Sequence, residues 1–219
     1  MIKNIIFDFD GVIVDSEVIV GKSVCQYLFE KGISFEEKDF FQLAGNKTVQ
    51  VISELSSRFK IEDEKAFYDD IMFIAQDFYL NKLKEVRGFK NFLQSTNHKR
   101  LIGSNNIKER IIDGLERLKL INFFEKDLIF SYDLVGIAKP APDIYLKAIE
   151  EGGIDPEETI IIEDSSIGVK SGVAAGLKVI GITAGGHWYQ NRSNQELFDA
   201  GAYEVVNDYK DMLLLIDKL

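Results

Sequence analysis

From Gly88 onward the sequence alternates short apolar runs with longer segments of helical periodicity, and this alternation constrains the fold more than any other feature. The apolar runs are Arg100–Gly103, Leu128–Phe130, Thr159–Ile162, Lys178–Ile182 and Glu204–Val206. Helical patterns fill the gaps at Phe89–Ser95, Lys108–Lys119, Pro142–Glu151, Gly168–Ala175, Gln195–Ala200 and Asp208–Lys218. Strand and helix in alternation imply a parallel sheet covered on both faces. A further apolar run, Ile2 to Phe9, belongs to the same sheet, because Ile5-Ile6-Phe7 has nothing else to pair with.

The stretch between that first strand and Gly88 has a different character. Glu17 to Glu30 carries Val18, Val20, Gly21, Val24, Cys25, Leu28 and Phe29 at mostly helical spacing, closed by Lys31-Gly32. Helical patterns continue at about Glu37–Leu43, Thr48–Phe59 and Glu64–Leu83, with no convincing strand among them. An all-helical lobe, residues 16–84, is therefore inserted into a core made of residues 1–15 and 85–219. The fold class is α/β: a Rossmann-like, doubly wound parallel sheet with an inserted helical domain. A length of 219 residues suits one or two domains of roughly 100–200 residues each.

Charge and composition remove several function classes. A net charge of -10 disfavours nonspecific binding to nucleic acid or to an anionic membrane. No apolar run approaches the roughly 20 residues that a membrane helix needs. The single cysteine, Cys25, has no internal disulfide partner and reads as a structural thiol on a helix face. Met1-Ile2-Lys3-Asn4 shows no leader, so the expected location is cytoplasmic, with a monomer as the default state.

Ligands of open parallel sheets bind outside the carboxyl ends of the strands, so the residues just past each strand are the ones to inspect. The first strand runs into Asp8 and Asp10, which on an extended strand would point to the same side and repel each other unless a cation sits there. An Asp-x-Asp-Gly turn accounts for the pair equally well on its own. The second strand ends in Ser104-Asn105-Asn106, a later loop reads Ala138-Lys139-Pro140-Ala141-Pro142-Asp143, and Thr159–Ile162 ends in Glu163-Asp164-Ser165-Ser166-Ile167-Gly168. Each has a plain alternative: helix capping for Ser104, Asn105, Asp164, Ser165 or Ser166, solvated surface for Lys139 and Glu163. All four segments nevertheless converge on one edge of the sheet, placing carboxylates for a hard cation beside a hydroxyl and a lysine for phosphate oxygens.

Asp-x-Asp-Gly-Val-x-x-Asp, Ser-Asn, Lys-Pro-x-Pro-Asp and Glu-Asp-Ser, in that order, resemble the four motifs of haloacid dehalogenase superfamily phosphohydrolases with a helical cap after the first strand. The resemblance spans essentially the whole chain and is nearest the branch of beta-phosphoglucomutase and sugar-phosphate phosphatases. It implies that Asp8 is the nucleophile, forming an aspartyl phosphate, and that Asp10 is the general acid and base. It implies Mg2+ held by Asp8, the backbone carbonyl of Asp10 and Asp164. Ser104, Asn105 and Lys139 would take the phosphoryl oxygens. Glu163 is either a further ligand or a support behind the ligands, and Asp15 would fix the loop after the nucleophile. Dehalogenases of the superfamily attack carbon, use no metal and lack the second aspartate, so Asp10 and Asp164 argue against carbon–halogen cleavage.

The expected activity is magnesium-dependent hydrolysis of a small phosphorylated metabolite, sugar-phosphate-like. The alternative is a beta-phosphoglucomutase-like phosphomutase. That resemblance calls for a histidine a few residues past Asp15, where this chain has Val18, Ile19 and Val20. In the cap loop Leu43–Thr48, Ala44 and Thr48 replace basic residues that would hold a second phosphate, leaving Lys47. A module that senses a phosphorylated ligand without turnover is a more distant alternative, since no motif is broken. Gly45, Asn46 and Lys47 are the cap residues expected to meet the leaving group, with hinges near Asp15-Ser16 and Glu85–Gly88. His98 reads as a surface residue, and His187 with Trp188 as a packing or partner loop more than a gating one.

Overall fold

The computed structural model describes residues 1–41, 43, 48–189 and 192–219. In chain order the elements are β1 (Asn4–Phe7), α1 (Glu17–Glu30), α2 (Glu37–Phe41), α3 (Thr48–Phe59), α4 (Glu64–Lys82), α5 (Phe89–Ser95), β2 (Lys99–Ser104), α6 (Lys108–Arg117), β3 (Ile129–Ser131), α7 (Tyr132–Val135), α8 (Asp143–Gly152), β4 (Thr159–Glu163), α9 (Ser166–Ala174), β5 (Lys178–Ile182), α10 (Gln195–Asp199), β6 (Glu204–Val206) and α11 (Tyr209–Ile216). They separate into two compact units. One comprises Met1–Asp15, Lys84–Gly185 and Asn191–Leu219, the other Ser16–Leu83 with Gly186–Gln190.

The first unit holds the sheet, in the order β3-β2-β1-β4-β5-β6, with every neighbouring pair parallel. β1 lies in the middle, Ile5 facing Arg100 on one side and Ile160 on the other, Phe7 facing Ile102 and Ile162. All residues of β1 and β4 are buried, the pattern expected of strands covered on both faces, and it explains why these runs are continuously apolar rather than alternating. Phe7 anchors the layer on one face, meeting the edges of Phe89, Phe92 and Phe124 at 5.4, 6.1 and 6.0 Å. Burying one such ring contributes about 1.5–3 kcal/mol.

The sheet order also decides where a ligand can sit. From β1 the chain winds outward through β2 and β3, then returns to β4 and winds the other way through β5 and β6. The connections beyond the carboxyl ends of β1 and β4 therefore diverge and leave a crevice at that switch point.

The first strand is shorter than its apolar run suggests. Pairing in β1 stops at Phe7, and only the N–H of Asp8 continues the ladder, donating to Ile162 O at 3.0 Å. Beyond it Gly11, at φ 74°, turns the chain so that the N–H of Val14 donates to Phe9 O and the N–H of Gly11 to Val14 O. Asp10 thus lies beyond the end of β1, at the start of this tight turn, and not on an extended strand. The segments by which the chain leaves and re-enters this unit run side by side. Asp15 N–H donates to Lys84 O, Val86 N–H donates to Ile13 O, and Val14 bridges Glu85 in antiparallel sense.

The helical unit has its own core. Val24 and Leu28 of α1 pack with Phe35, Phe40, Val51, Ile52, Leu55, Phe67 and Ile71, so α1, α3 and α4 each bury one stripe. α4 begins where the sequence supplies a cap, the Asp63 carboxylate accepting from Ala66 N–H at 2.9 Å. Among the described residues, no helix is long and apolar enough to cross a membrane.

Candidate active site

Charge is buried in one place. Among the described residues the buried carboxylates are Asp8, Glu163 and Asp164, and Lys139 is the buried lysine. All four lie at the carboxyl ends of β1 and β4 and in the loop before α8, at the switch point of the sheet. Ions are almost never buried unless paired, so the segments bearing them are held together by their own electrostatics. Lys139 Nζ donates to Asp8 Oδ1 at 2.7 Å, to Glu163 Oε1 at 2.6 Å and to Gly103 O at 2.8 Å. Those three bonds use every N–H of the ammonium.

Glu163 is the hub behind this pair. It is fully buried, and Oε1 also accepts from the Tyr145 hydroxyl at 2.8 Å. Oε2 accepts from Asp164 N–H, Ser165 N–H and Ser165 Oγ at 3.2, 3.4 and 3.1 Å. The close approach of α9 depends on Gly168: a Cβ there would lie 1.8 Å from Glu163 Oε1. Ser165 caps the same helix, its hydroxyl accepting from Gly168 N–H at 3.1 Å. The plain capping alternative therefore holds for Ser165.

One ammonium does not balance three buried carboxylates. Burial pushes the Asp8 carboxyl well above its usual range, against the pull of Lys139, and Glu163 and Asp164 push it further. Asp164 is raised in the same sense, by burial first and then by Glu163 and Asp10. Burial also acts to lower the Lys139 ammonium, but Asp8 and Glu163 outweigh it and raise it. Oxygens of Asp8, Glu163 and Asp164 all lie within 4.8 Å of one another. An all-oxygen donor set with unbalanced negative charge suits a hard divalent cation, and so these residues can hold a metal ion.

The other expected residues fall around this cluster. Ser104, at the end of β2, is 1% exposed, and its oxygen accepts from Asn106 N–H at 3.1 Å, which leaves its own O–H to donate. Asn105 is exposed, and its side-chain oxygen accepts from Lys139 N–H at 2.8 Å, so it ties the Lys139 loop to the end of β2. Asp10 is half-buried, with Oδ2 accepting from the Asn106 amide at 2.7 Å. The Lys139–Pro140 bond is cis. Gly45, Asn46 and Lys47 lie outside the described residues.

Asn106, Tyr145 and Gly168 emerge only from the structure. Asn106 carries the same amide as Asn105, and nothing in the spacing says which of the two meets a carboxylate. Tyr145 sits in the first turn of α8 as one of several apolar residues, and its hydroxyl target is a residue 18 positions away. His98 departs from its expected surface position: it is half-buried, Nδ1 is occluded, and burial and then Arg100 lower its imidazole. His187 is buried with its ring 5.7 Å from that of Trp188, in the segment that groups with the helical unit.

Comparison with known proteins points the same way. Residues 5–182 match the family model described as haloacid dehalogenase-like hydrolase. The chain is 25% identical over 192 residues to the 6-phosphogluconate phosphatase of Escherichia coli K12, covering 85% of each chain. It is 25% identical over 222 residues to the phosphorylated carbohydrates phosphatase of Thermotoga maritima, covering 96% of this chain and 100% of that one. Among solved structures, a HAD family hydrolase of Deinococcus radiodurans R1, with bound phosphate and sodium, matches with a TM-score of 0.86 at 25% identity, over 99% of this chain and 96% of that one. Sheet order, a buried acidic cluster at the switch point and a family match over most of the sequence lead to one conclusion: this chain is a hydrolase and belongs to the haloacid dehalogenase-like family.

Proposed function

We propose that the protein is a magnesium-dependent phosphatase that hydrolyses a small phosphorylated metabolite, of the sugar-phosphate or sugar-acid-phosphate kind, through a phosphorylated Asp8. The observation that carries this reading is the position of Asp8. It is a buried carboxylate held on one oxygen by Lys139, at the switch point, with Asp164 alongside. Two of the relatives above are named as phosphatases of phosphorylated carbohydrates or of 6-phosphogluconate, which favours hydrolysis over mutase chemistry.

Asp8 and Asp164, with the backbone carbonyl of Asp10, would hold Mg2+. When bound, the ion neutralises the charge between an anionic carboxylate and a phosphate dianion. Glu163, with both oxygens engaged by protein donors, supports the site from behind. In the first step an Asp8 oxygen bonds to phosphorus as the bond to the substrate oxygen breaks. Protonated Asp10 gives that oxygen its proton. In the second step Asp10, now a carboxylate, takes a proton from water. That water attacks phosphorus, the Asp8–phosphorus bond breaks, and Asp8 returns to its starting state. Lys139 spends one N–H on Asp8 at rest. As Asp8 loses its charge by phosphorylation, that N–H turns to the phosphoryl oxygens, joined by the Ser104 hydroxyl, so that stabilisation grows where charge grows. The helical unit would act as the cap, with specificity for the leaving group assigned to the loop of Gly45, Asn46 and Lys47.

Asp8→Asn tests the reading. It keeps shape and removes the nucleophile, so release of phosphate from an aryl phosphate should stop while the far-ultraviolet circular dichroism stays unchanged. A chelator should stop the wild type reversibly. Normal turnover by the variant would refute the assignment. A panel of phosphorylated sugars, sugar acids, polyols and nucleotides then ranks the substrates.

A further inference from the structure

We propose that Tyr145 is a positioning residue of this site: through its hydroxyl on Glu163 and its ring against Lys139, it keeps the ammonium on the nucleophile Asp8. The inference rests on the phosphatase reading for the role of Asp8 and Lys139.

A lysine stem has several freely rotating bonds, so the place of its ammonium is set by partners and not by the stem. Four groups surround Lys139 Nζ. Asp8 Oδ1, Gly103 O and Glu163 Oε1 take its three hydrogens, and the Tyr145 ring centroid lies 4.7 Å away. Tyr145 acts on two of the other three. Its hydroxyl donates at 2.8 Å to the same Glu163 oxygen that takes the lysine hydrogen. Its ring presses on Gly103, where a Cβ would come within 2.8 Å of Tyr145 Cε1, so glycine at the end of β2 is what lets ring and strand share this space.

Filling volume does not explain the hydroxyl. Phenylalanine would fill the same buried space, and a phenol buried at 0% exposure requires a partner that Phe does not. The partner chosen, Glu163 Oε1, is one of the two carboxylate oxygens that bind Lys139 Nζ. Without the hydroxyl, Glu163 Oε1 keeps a lone pair that no water reaches, and the carboxylate turns about its remaining bonds to Asp164 and Ser165. Lys139 follows it away from Asp8. Misplacement of a charged group by a fraction of an ångström is enough to slow phosphoryl transfer, because catalysis there is mainly positioning and electrostatics.

Tyr145→Phe removes one oxygen and keeps the ring, and its near-ultraviolet circular dichroism reports whether it folds as the wild type does. With p-nitrophenyl phosphate, kcat should fall about tenfold, the kinetic equivalent of one lost bond to a charged group, while KM stays unchanged. Because Tyr145 works through Glu163, the variant Tyr145→Phe/Glu163→Gln should be within about twofold of Glu163→Gln alone. Independently of turnover, nitrogen-15 NMR of lysine ammonium groups should show a Lys139 signal, assigned with Lys139→Met, that is sharp in the wild type and broadened in Tyr145→Phe. Unchanged kcat with an unchanged Lys139 signal overturns the proposal, as do losses that multiply in the double variant. If the wild type hydrolyses no phosphate ester, the phosphatase reading fails, and the ammonium signal alone decides whether Tyr145 holds Lys139.

Discussion

Gly168→Ala sets two opposite effects against each other. Gly168 lies in the first turn of α9 with an ordinary helical backbone, so alanine should stabilise the helix by up to about 1 kcal/mol. The added methyl, however, would stand 1.8 Å from Glu163 Oε1, 1.9 Å from Cδ and 2.2 Å from Oε2. Ordinary carbon contacts lie near about 3.5–4.0 Å, and α9 is pinned by its Ser165 cap, so the carboxylate is what must move. Moving it breaks the buried pair with Lys139, which costs about 3–5 kcal/mol. The balance is a net loss of about 2–4 kcal/mol. Urea unfolding of four proteins measures it: wild type, Gly168→Ala, Glu163→Asp and the double variant. Aspartate is shorter by one methylene and draws the carboxylate away from the new methyl, so the double variant should be more stable than additivity allows, by about 1 kcal/mol or more. A Gly168→Ala protein as stable as the wild type, or a strictly additive double variant, would refute the steric argument.

Two further outcomes follow from the acidic cluster and its neighbour. In the folded chain Asp164 holds its proton more tightly than in the unfolded chain, so its contribution to stability is fully present below the ordinary aspartate value of about 3.9 and is lost as pH rises through the raised folded value. In chelator-treated protein, Asp164→Asn should therefore become steadily more stable relative to the wild type as pH rises from about 4 towards neutrality, read by thermal melting; a pH-independent difference would contradict this. Asn106→Ala removes the 2.7 Å bond that orients Asp10, and kcat for aryl phosphate hydrolysis should fall about tenfold with little change in KM. An unchanged kcat would mean that Asp10 is oriented without this bond.

Most of the architecture was legible because periodicity is a local property. A short continuous apolar run with β-branched residues, such as Thr159–Ile162, reads as a strand buried on both faces, as β4 is, and the helical spacing of Glu17–Glu30 survives into α1 with the same bounds. The residues of the cluster were legible too, because Asp8, Glu163 and Asp164 stand at the ends of apolar runs and Lys139 in a proline-stiffened loop, the segments that the order of the motifs singles out. What required the tertiary structure was everything set by approach across the chain. That Asp10 leaves the strand for the turn at Gly11, that Asn106 and not Asn105 meets it, and that Asn105 instead ties down Lys139 are decided by loop geometry over separations such as the 96 residues between Asp10 and Asn106. Tyr145 and Gly168 look like ordinary helix residues in sequence, and their importance arises from how closely α8 and α9 approach Lys139 and Glu163. The sequence determined which charges would be buried together; packing in three dimensions determined which neutral side chains hold them there, because such contacts leave no periodicity behind.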